Sequence, residues 1–412
     1  MEELLRLHRA FMASRKSYEV EYRLQALQRL QEAIRHYEDE ICRAIYQDLG
    51  KARSESYMCE VGLTLTELSH MKRHIRRWAR TKIVGTGLAN FPAVSRIVQE
   101  PYGLVLIMSP WNYPFMLCME PLVGAIAAGN SVVLKPSNYS PATSAVIKKV
   151  VSRAFEEGHV SVVEGGRAEN TALLEQKFDY IFFTGSQEVG RLVMERAARH
   201  LTSVSLELGG KSPCIVDRTA NLRVAAKRLA YGKYLNCGQT CVAPDYLLID
   251  ETVKDQFLTY YRRAVVRMYG EQPLANPDYG KIINEKHFQR LCRLMDPERV
   301  VLGGRTEPER LRIEPTVMDR VTGEDAVMQE EIFGPILPVL TFTSIDEAEK
   351  FVLARPKPLA CYVFTSDSAV ERRFLRYVPF GGGCINDTIG HLVSQAMGFG
   401  GVGESGMGSY HG

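Results

Sequence analysis

The sequence predicts an α/β protein built on two mainly parallel sheets. Short apolar runs at 103–108, 131–134 and 180–183 alternate with longer segments, such as 142–155, whose apolar residues have helical spacing. Strands that are apolar along their whole length are typical of parallel sheets with helices on both faces. A second set of such runs extends from about 212 to 386. A length of 412 residues is sufficient for two or three domains.

The region before these strands predicts helices followed by a hairpin. Apolar residues recur at helical spacing between Leu24 and Ile45, among charged neighbours. Between 81 and 99 the pattern changes to glycines and Pro92, followed by alternation of apolar and polar residues over 94–98. We therefore expect a helical segment to about residue 80 and then a short projecting hairpin.

Charge and histidine spacing exclude two classes of function. The chain has 51 Lys and Arg against 48 Asp and Glu, a net charge of +3, which is too small to indicate nucleic acid as the main partner. His70 and His74 have a spacing seen in metal sites, but the Glu of a zinc peptidase motif is missing between them. No metal site is expected.

The cysteines and the apolar runs indicate a cytoplasmic protein. The nine cysteines are scattered without CxxC pairs, as expected for reduced thiols in a cytosolic chain. The N-terminus is charged throughout and lacks the apolar core of a signal peptide. The uncharged run 103–119 is interrupted by Pro110 and Pro114, so we expect no membrane-spanning segment.

Two polar loops after predicted strands have the features of a cofactor site. Lys135 follows one strand and is placed to reach ribose hydroxyls or a phosphate, although a lysine that caps a strand is common. Gly185 and Ser186 follow another strand and precede a helix that contains Gly190, so the helix N-terminus offers amides to a diphosphate. The pattern is not the GxGxxG fingerprint and is only suggestive by itself.

Three further positions carry possible chemistry. Asn112, in a rigid loop between two prolines, is a candidate hydrogen-bond donor, with a purely structural turn as the alternative. Glu207, in an apolar setting beside two glycines, has the raised pKa expected of a general base unless it pairs with Lys211. Cys241, at an expected helix start, is a candidate nucleophile with a lowered pKa, although most cysteines are buried and inert. Cys237 lies four residues earlier, so a redox pair is a further alternative.

The ordered motifs PWNYP, KPS, FTGSQEVG, LELGGKSP, GQTC, EIFGP, INDT and FGGVGESGMGSYHG together resemble those of the aldehyde dehydrogenase superfamily over almost the whole chain. GQTCVAPDY and SGMGSYHG look most like the class 3 branch, which acts on aromatic and medium- to long-chain aldehydes. The resemblance implies a Rossmann-type cofactor domain, an α/β catalytic domain and a small bridging hairpin. The implied domains are 1–80 with 100–206 and a return of 388–412 for cofactor binding, 81–99 for the hairpin, and 207–387 for catalysis.

The resemblance also implies the roles of individual residues. Cys241 would form a hemithioacetal and then a thioester, Asn112 and the backbone N–H of Cys241 would hold the oxyanion, and Glu207 would activate the hydrolytic water. NAD or NADP would be the cofactor and an aldehyde the substrate, and the protein would be a homodimer. The residues implied to bind cofactor are Lys135, Ser137, Asn138, Gly185, Ser186, Gly190, Leu208, Glu331 and Phe333.

Departures from the family pattern leave alternatives. Asn138 replaces a frequent Glu, so we expect easier entry of a 2′-phosphate and use of NADP as well as NAD. The sequence stops where class 3 proteins continue, and we expect loss of that segment to leave a wetter pocket and a weaker dimer. A catalytically silent binding protein and a coenzyme A-acylating dehydrogenase are the alternative functions, although Glu207 favours hydrolysis.

Overall fold

The structure is a computed structural model that describes residues 1–411, and it is organised around two sheets. The six-stranded sheet has the order β17-β7-β6-β3-β4-β5 and the seven-stranded sheet has the order β10-β13-β14-β9-β8-β15-β16. In residues 1–411 the strands are β1 (Lys82–Val84), β2 (Ser95–Ile97), β3 (Leu104–Met108), β4 (Ser131–Lys135), β5 (Val160–Val162), β6 (Tyr180–Gly185), β7 (Ser203–Leu208), β8 (Pro213–Val216), β9 (Tyr246–Asp250), β10 (Val300–Leu302), β11 (Thr306–Glu307), β12 (Arg312–Ile313), β13 (Thr316–Met318), β14 (Ile336–Phe342), β15 (Ala360–Phe364), β16 (Gly382–Ile385) and β17 (Gly406–Met407).

Helices cover both sheets. In residues 1–411 they are α1 (Glu2–Ala13), α2 (Val20–His36), α3 (Glu38–Leu49), α4 (Arg53–Ser56), α5 (Gly62–Trp78), α6 (Met116–Ala127), α7 (Pro141–Ala154), α8 (Arg167–Leu174), α9 (Gln187–Ala198), α10 (Leu222–Tyr234), α11 (Lys254–Tyr269), α12 (Glu285–Leu294), α13 (Ile345–Leu353) and α14 (Ser368–Tyr377). The α/β fold class expected from the sequence is confirmed.

Pairing within each sheet is parallel except at one edge. In the six-stranded sheet β17 runs antiparallel to β7, and in the seven-stranded sheet β10 runs antiparallel to β13. Strand β17 belongs to the C-terminal segment 388–412, so that segment returns to the first sheet. Its last residue, Gly412, lies outside the described residues.

The central strand β3 shows how the first sheet is buried. Val105 and Ile107 pack into a cluster with helices α2, α6 and α7, whereas Leu104, Leu106 and Met108 face the cluster beneath α8 and α9. Successive side chains point to opposite faces of a strand, and here both faces are covered. This arrangement explains why β3 is apolar at every position.

The predicted hairpin is present as β1 and β2, which pair antiparallel between Lys82 and Ile97. Within the helical segment before it, α1 contacts β3 and β4. Helices α2 and α5 pack against α6, one of the helices that cover the first sheet. No helix within residues 1–411 combines the length and the apolar character needed to cross a membrane. Loops after the carboxyl ends of β3, β6 and β7 meet at one edge of the first sheet, where α/β proteins commonly build their sites.

Candidate active site

A cavity of about 940 Å³ lies between the loops of the first sheet and those of the second. Eight residues singled out from the sequence line it: Asn112, Gly185, Ser186, Glu207, Leu208, Cys241, Glu331 and Phe333. Lys135, Ser137, Asn138 and Gly190 lie outside its lining. The fold thus gathers all three residues with expected chemistry and part of the expected cofactor set into one space.

Cys241 lies in a turn between α10 and β9 and is partly exposed. The preceding Asn236, Cys237 and Gly238 have positive φ angles of 53°, 53° and 74°. A Cβ atom on Gly238 would collide with the carbonyl of Gly334, so glycine is required at that position. The expectation that Cys241 begins a helix is wrong, because the residues after it form a turn that leads directly into β9.

The protonation state of Cys241 also differs from the expectation. Burial, followed by the nearby carboxyl groups of Glu331 and Glu207, raises the pKa of its thiol to about 12. A helix N-terminus that would lower the pKa is missing from this turn, so the lowered pKa expected from the sequence is wrong. At neutral pH Cys241 is a thiol that needs a base to become a nucleophile.

Asn112 is held by hydrogen bonds at both ends of the residue and is 2% exposed. Its side-chain Nδ2 donates to the carbonyl of Gln239 at 3.0 Å. Its backbone carbonyl accepts from Lys51 Nζ and from Asn236 Nδ2, each at 2.8 Å. An amide nitrogen carries two hydrogens, and one remains available to an acceptor in the cavity.

Glu207 is buried on β7, and among the described residues neither of its carboxylate oxygens has a hydrogen-bond partner. Its registered neighbour on β6 is Thr184, whose hydroxyl is also unpaired. Burial raises the pKa of Glu207 to about 9, in the direction expected from the sequence. A buried carboxyl without partners is protonated at neutral pH and is able to exchange its proton with a ligand.

The pairing of Glu207 with Lys211 that the sequence left open does not occur. Lys211 Nζ instead contacts Asp245 Oδ2 at 2.5 Å and donates to the carbonyl of Glu330 at 2.8 Å. The other oxygen of Asp245 accepts from the backbone N–H of Ile332 at 3.0 Å. The ion pair therefore anchors the loop that carries Glu331.

Glu331 and Phe333 form the wall opposite β7. The Glu331 carboxylate occupies the space that a Cβ atom on Gly209 would fill, and burial, followed by the charge of Asp245, raises its pKa to about 8. Phe333 has a strained φ of 51°, and its ring meets the Trp111 ring edge-on at 5.3 Å. The backbone geometry thus aims an aromatic ring into the cavity.

The start of α9 supplies the polar end of the cavity. Ser186 caps the helix, because its side chain accepts from the N–H of Val189 at 3.4 Å. The first-turn amides of such a helix have no intrahelical partner and favour an anion. Gly190 lets this helix approach Leu208, whose side chain occupies the space of a Cβ atom on that glycine.

Lys135, Ser137 and Asn138 lie at the end of β4. Lys135 is buried and donates to the carbonyls of Pro136 and Gly165, each at 2.8 Å, and burial lowers its pKa. Ser137 Oγ accepts from the N–H of Tyr139 at 3.2 Å. Asn138 is exposed, so its side chain faces solvent beside the strand end.

Sequence patterns did not identify three residues that shape this site. Lys51 and Glu60 form a fully buried ion pair that contacts the Asn112 loop, at 2.7 Å between Nζ and Oε1. Arg290 lines the cavity and donates to the carbonyl of Glu331 at 3.2 Å. For Lys51 and Glu60, the only signal in the sequence is that both are charged residues among the apolar positions of the N-terminal helical segment.

Comparisons with known proteins identify the family of this chain. The model of the "Aldehyde dehydrogenase family" matches residues 7–412. The chain is 47% identical over 406 residues to the 4,4'-diaponeurosporen-aldehyde dehydrogenase of Staphylococcus aureus, covering 98% of this chain and 88% of the relative. It is 44% identical over 411 residues to aldehyde dehydrogenase family 3 member B1 of Mus musculus, covering 100% and 88%.

Solved structures are similarly close. The substrate-bound state of Staphylococcus aureus AldH has a TM-score of 0.99 and 46% identity, covering 100% of this chain and 90% of that one. An indole-3-acetaldehyde dehydrogenase complexed with NAD+ has a TM-score of 0.90 and 27% identity, covering 100% and 85%.

The fold and the cavity define an α/β oxidoreductase with a cysteine in its site. This chain belongs to the aldehyde dehydrogenase family, and it is an enzyme that oxidises aldehydes.

Proposed function

We propose that this enzyme uses NAD or NADP to oxidise aromatic or medium- to long-chain aldehydes to carboxylic acids through a thioester on Cys241. The observation that carries the proposal is the shared cavity of Cys241, Asn112 and Glu207, in which the Glu207 carboxyl has no hydrogen-bond partner among residues 1–411. Trp111, Leu117, Met328 and Phe333 also line the cavity, and their apolar surfaces favour an apolar aldehyde.

The residues around the cavity fit a dinucleotide. The capped start of α9 suits a diphosphate, and the absence of a side chain on Gly209 lets the Glu331 carboxylate approach the backbone at the end of β7. Gly185, Ser186, Leu208, Glu331 and Phe333 would hold the cofactor within the cavity, with Lys135, Ser137, Asn138 and Gly190 supporting it from the ends of β4 and α9. When bound, the nicotinamide supplies the two-electron oxidant that accepts hydride from the substrate.

The chain's own residues supply the rest of the chemistry. The sulfur of Cys241 adds to the aldehyde carbon, and its proton leaves to a base, so the carbonyl oxygen becomes an oxyanion. The side-chain amide of Asn112 and the backbone N–H of Cys241 donate to that oxygen. Loss of hydride leaves a thioester. Once its own proton has passed to solvent, the Glu207 carboxylate takes a proton from the water that cleaves the thioester. It returns that proton to the departing sulfur, which releases the acid and the thiol.

Further expectations accompany this mechanism. The proposed domains are residues 1–80 and 100–206 with 388–412 for cofactor, 81–99 as the hairpin and 207–387 for catalysis. Exposed apolar residues on the hairpin, including Leu88 and Phe91, support a homodimer. The nine free cysteines support a reducing, cytoplasmic location.

The test follows NAD(P)H formation with a panel of aliphatic and aromatic aldehydes and each cofactor. Cys241→Ala should lower turnover by at least about 10⁴-fold, because the covalent route is lost. Cys292 is also partly exposed but lies outside the cavity, so Cys292→Ala should retain turnover. Equal activity of wild type and Cys241→Ala would refute the thioester route. A product trapped on added coenzyme A in place of free acid would favour the acylating alternative.

A further inference from the structure

We propose that Lys51 and Glu60 are positioning residues, which fix the Asn112 amide in the orientation that binds the oxyanion. This inference rests on the proposed function of Asn112. Both side chains are fully buried, and neither lines the cavity, so they act through the Asn112 loop and not on the substrate.

Lys51 makes three contacts that converge on this loop. Its Nζ lies 2.7 Å from Glu60 Oε1 and donates to the backbone carbonyl of Asn112 at 2.8 Å. It also lies 3.9 Å from the centroid of the Tyr113 ring, a cation–π geometry. A single cation thereby fixes both the carbonyl of Asn112 and the side chain of the next residue.

Glu60 fixes the other end of the same loop. Its Oε2 accepts from the backbone N–H of Phe115 at 2.8 Å and from that of Met116 at 3.3 Å. Met116 begins α6, so the carboxylate caps that helix while its other oxygen holds Lys51. The loop of residues 112–116 is therefore held at its first and last residues by one ion pair.

The acceptor of the Asn112 amide is tied to the same framework. Gln239, whose carbonyl accepts from Asn112 Nδ2, donates through Nε2 to the carbonyl of Lys281 at 3.0 Å. The N–H of Lys281 in turn donates to the carbonyl of Leu49 at 2.9 Å, two residues before Lys51. Lys51, Asn112 and the loop of Cys241 thus form a closed ring of contacts.

Stability alone is a weak reason for this pair. Replacing a buried ion pair by apolar residues of similar volume is often neutral or stabilising, whereas removing one partner leaves an uncompensated charge. Apart from their contact with each other, the polar contacts of the Lys51 and Glu60 side chains within residues 1–411 are all with the loop of residues 112–116, which carries the oxyanion donor Asn112. Misplacement of a catalytic group by about 1 Å is able to cost about 100-fold in rate.

The experiment compares Lys51→Met/Glu60→Gln, which is neutral and leaves no unpaired charge, with Asn112→Ala and with the triple variant. Lys254→Met, which breaks a remote ion pair with Asp319, is the control for general loss of a salt bridge. Rates are normalised to the fraction of protein whose Cys241 reacts with iodoacetamide. We expect the double variant to lower kcat by about 10- to 100-fold with little change in KM for NAD.

Non-additivity decides between positioning and a structural role. If the pair acts through Asn112, the triple variant should have the kcat of Asn112→Ala within about twofold. The proposal would be overturned if the kcat losses of Lys51→Met/Glu60→Gln and of Asn112→Ala multiply in the triple variant, or if kcat is unchanged in Lys51→Met/Glu60→Gln. Either result would leave the role of Asn112 intact. An unchanged kcat in Asn112→Ala would instead refute the proposed function of that residue, and the positioning role with it.

Discussion

The two sides of the cavity are built in opposite ways. On one side, hydrogen bonds within the protein hold the side-chain amide of Asn112, its backbone carbonyl and the backbone carbonyl of Gln239. On the other side, Glu207 is equally buried, yet both of its oxygens lack a partner in the described residues. The polar groups of one wall are fixed, and those of the other are left free.

This difference fits the role proposed for each wall. An oxyanion donor stabilises charge best when it is held in place before the charge develops, because no reorganisation is then needed. A general base has to change its protonation state during each turnover, and hydrogen bonds fixed to one state would oppose that change. The contrast predicts that substitutions on the two walls will block different steps.

The largest effect is expected for Glu207→Gln. Loss of the base should lower steady-state kcat by about 10²- to 10⁴-fold, because hydrolysis of the thioester slows while its formation continues. A rapid burst of NAD(P)H, close to one equivalent per site, should therefore persist in stopped-flow measurements. Glu67→Gln, which alters another buried carboxyl with an unpaired oxygen outside the cavity, is the matched control. Loss of the burst would show that Glu207 acts before the thioester forms.

Asn112→Ala should affect the opposite step. Removing one oxyanion donor costs about 10²- to 10³-fold in rate, and the loss should appear in the burst itself as well as in the steady state. The same stopped-flow experiment measures it. A burst as fast as that of wild type would show that Asn112 does not stabilise the transition state of thioester formation.

A smaller effect is expected for cofactor choice. Asn138→Glu places a negative charge on an exposed side chain in the turn after β4, so a 2′-phosphate should be repelled. We expect kcat/KM for NADP to fall by about tenfold relative to NAD, about 1.4 kcal/mol. An unchanged ratio would show that residue 138 does not face the adenosine ribose.

A final effect concerns stability and its dependence on pH. The pKa of Glu207 is raised to about 9 in the folded protein from an ordinary value of 4.5, so the folded state holds the extra proton between these values. Stability should therefore fall as pH rises through this window, by up to about 1.4 kcal/mol per pH unit. Glu207→Gln should lose this slope in urea titrations. Parallel slopes in both proteins would refute the raised pKa.

The sequence predicts the fold better than the site because the two depend on different distances along the chain. Strand β3 is apolar at each position, and local pattern suffices to identify it. The turn before Cys241 depends on remote groups, since Glu55 accepts from the N–H of Asn236 and Gly334 leaves no room for a side chain on residue 238. A local pattern does not contain that information. The predictions of a helix start and of a lowered pKa at Cys241 were wrong for this reason.

The same reasoning explains why sequence patterns did not identify Lys51 and Glu60. Lys51 and Glu60 precede Asn112 by tens of residues, and no spacing rule connects an ion pair on one helical segment with a loop after β3. The burial and the raised pKa of Glu207 were predictable, because its apolar neighbours and adjacent glycines are local in sequence. Lys135 was expected at the end of β4 and lies there, but its two carbonyl partners come from the fold.

The most direct test of the thioester mechanism is the intact mass of Glu207→Gln after incubation with benzaldehyde and NAD. We expect one acyl group per chain, which is absent in Cys241→Ala/Glu207→Gln and is located on Cys241 in the digested peptide. Steady turnover without a covalent adduct, or an adduct on another residue, would contradict it.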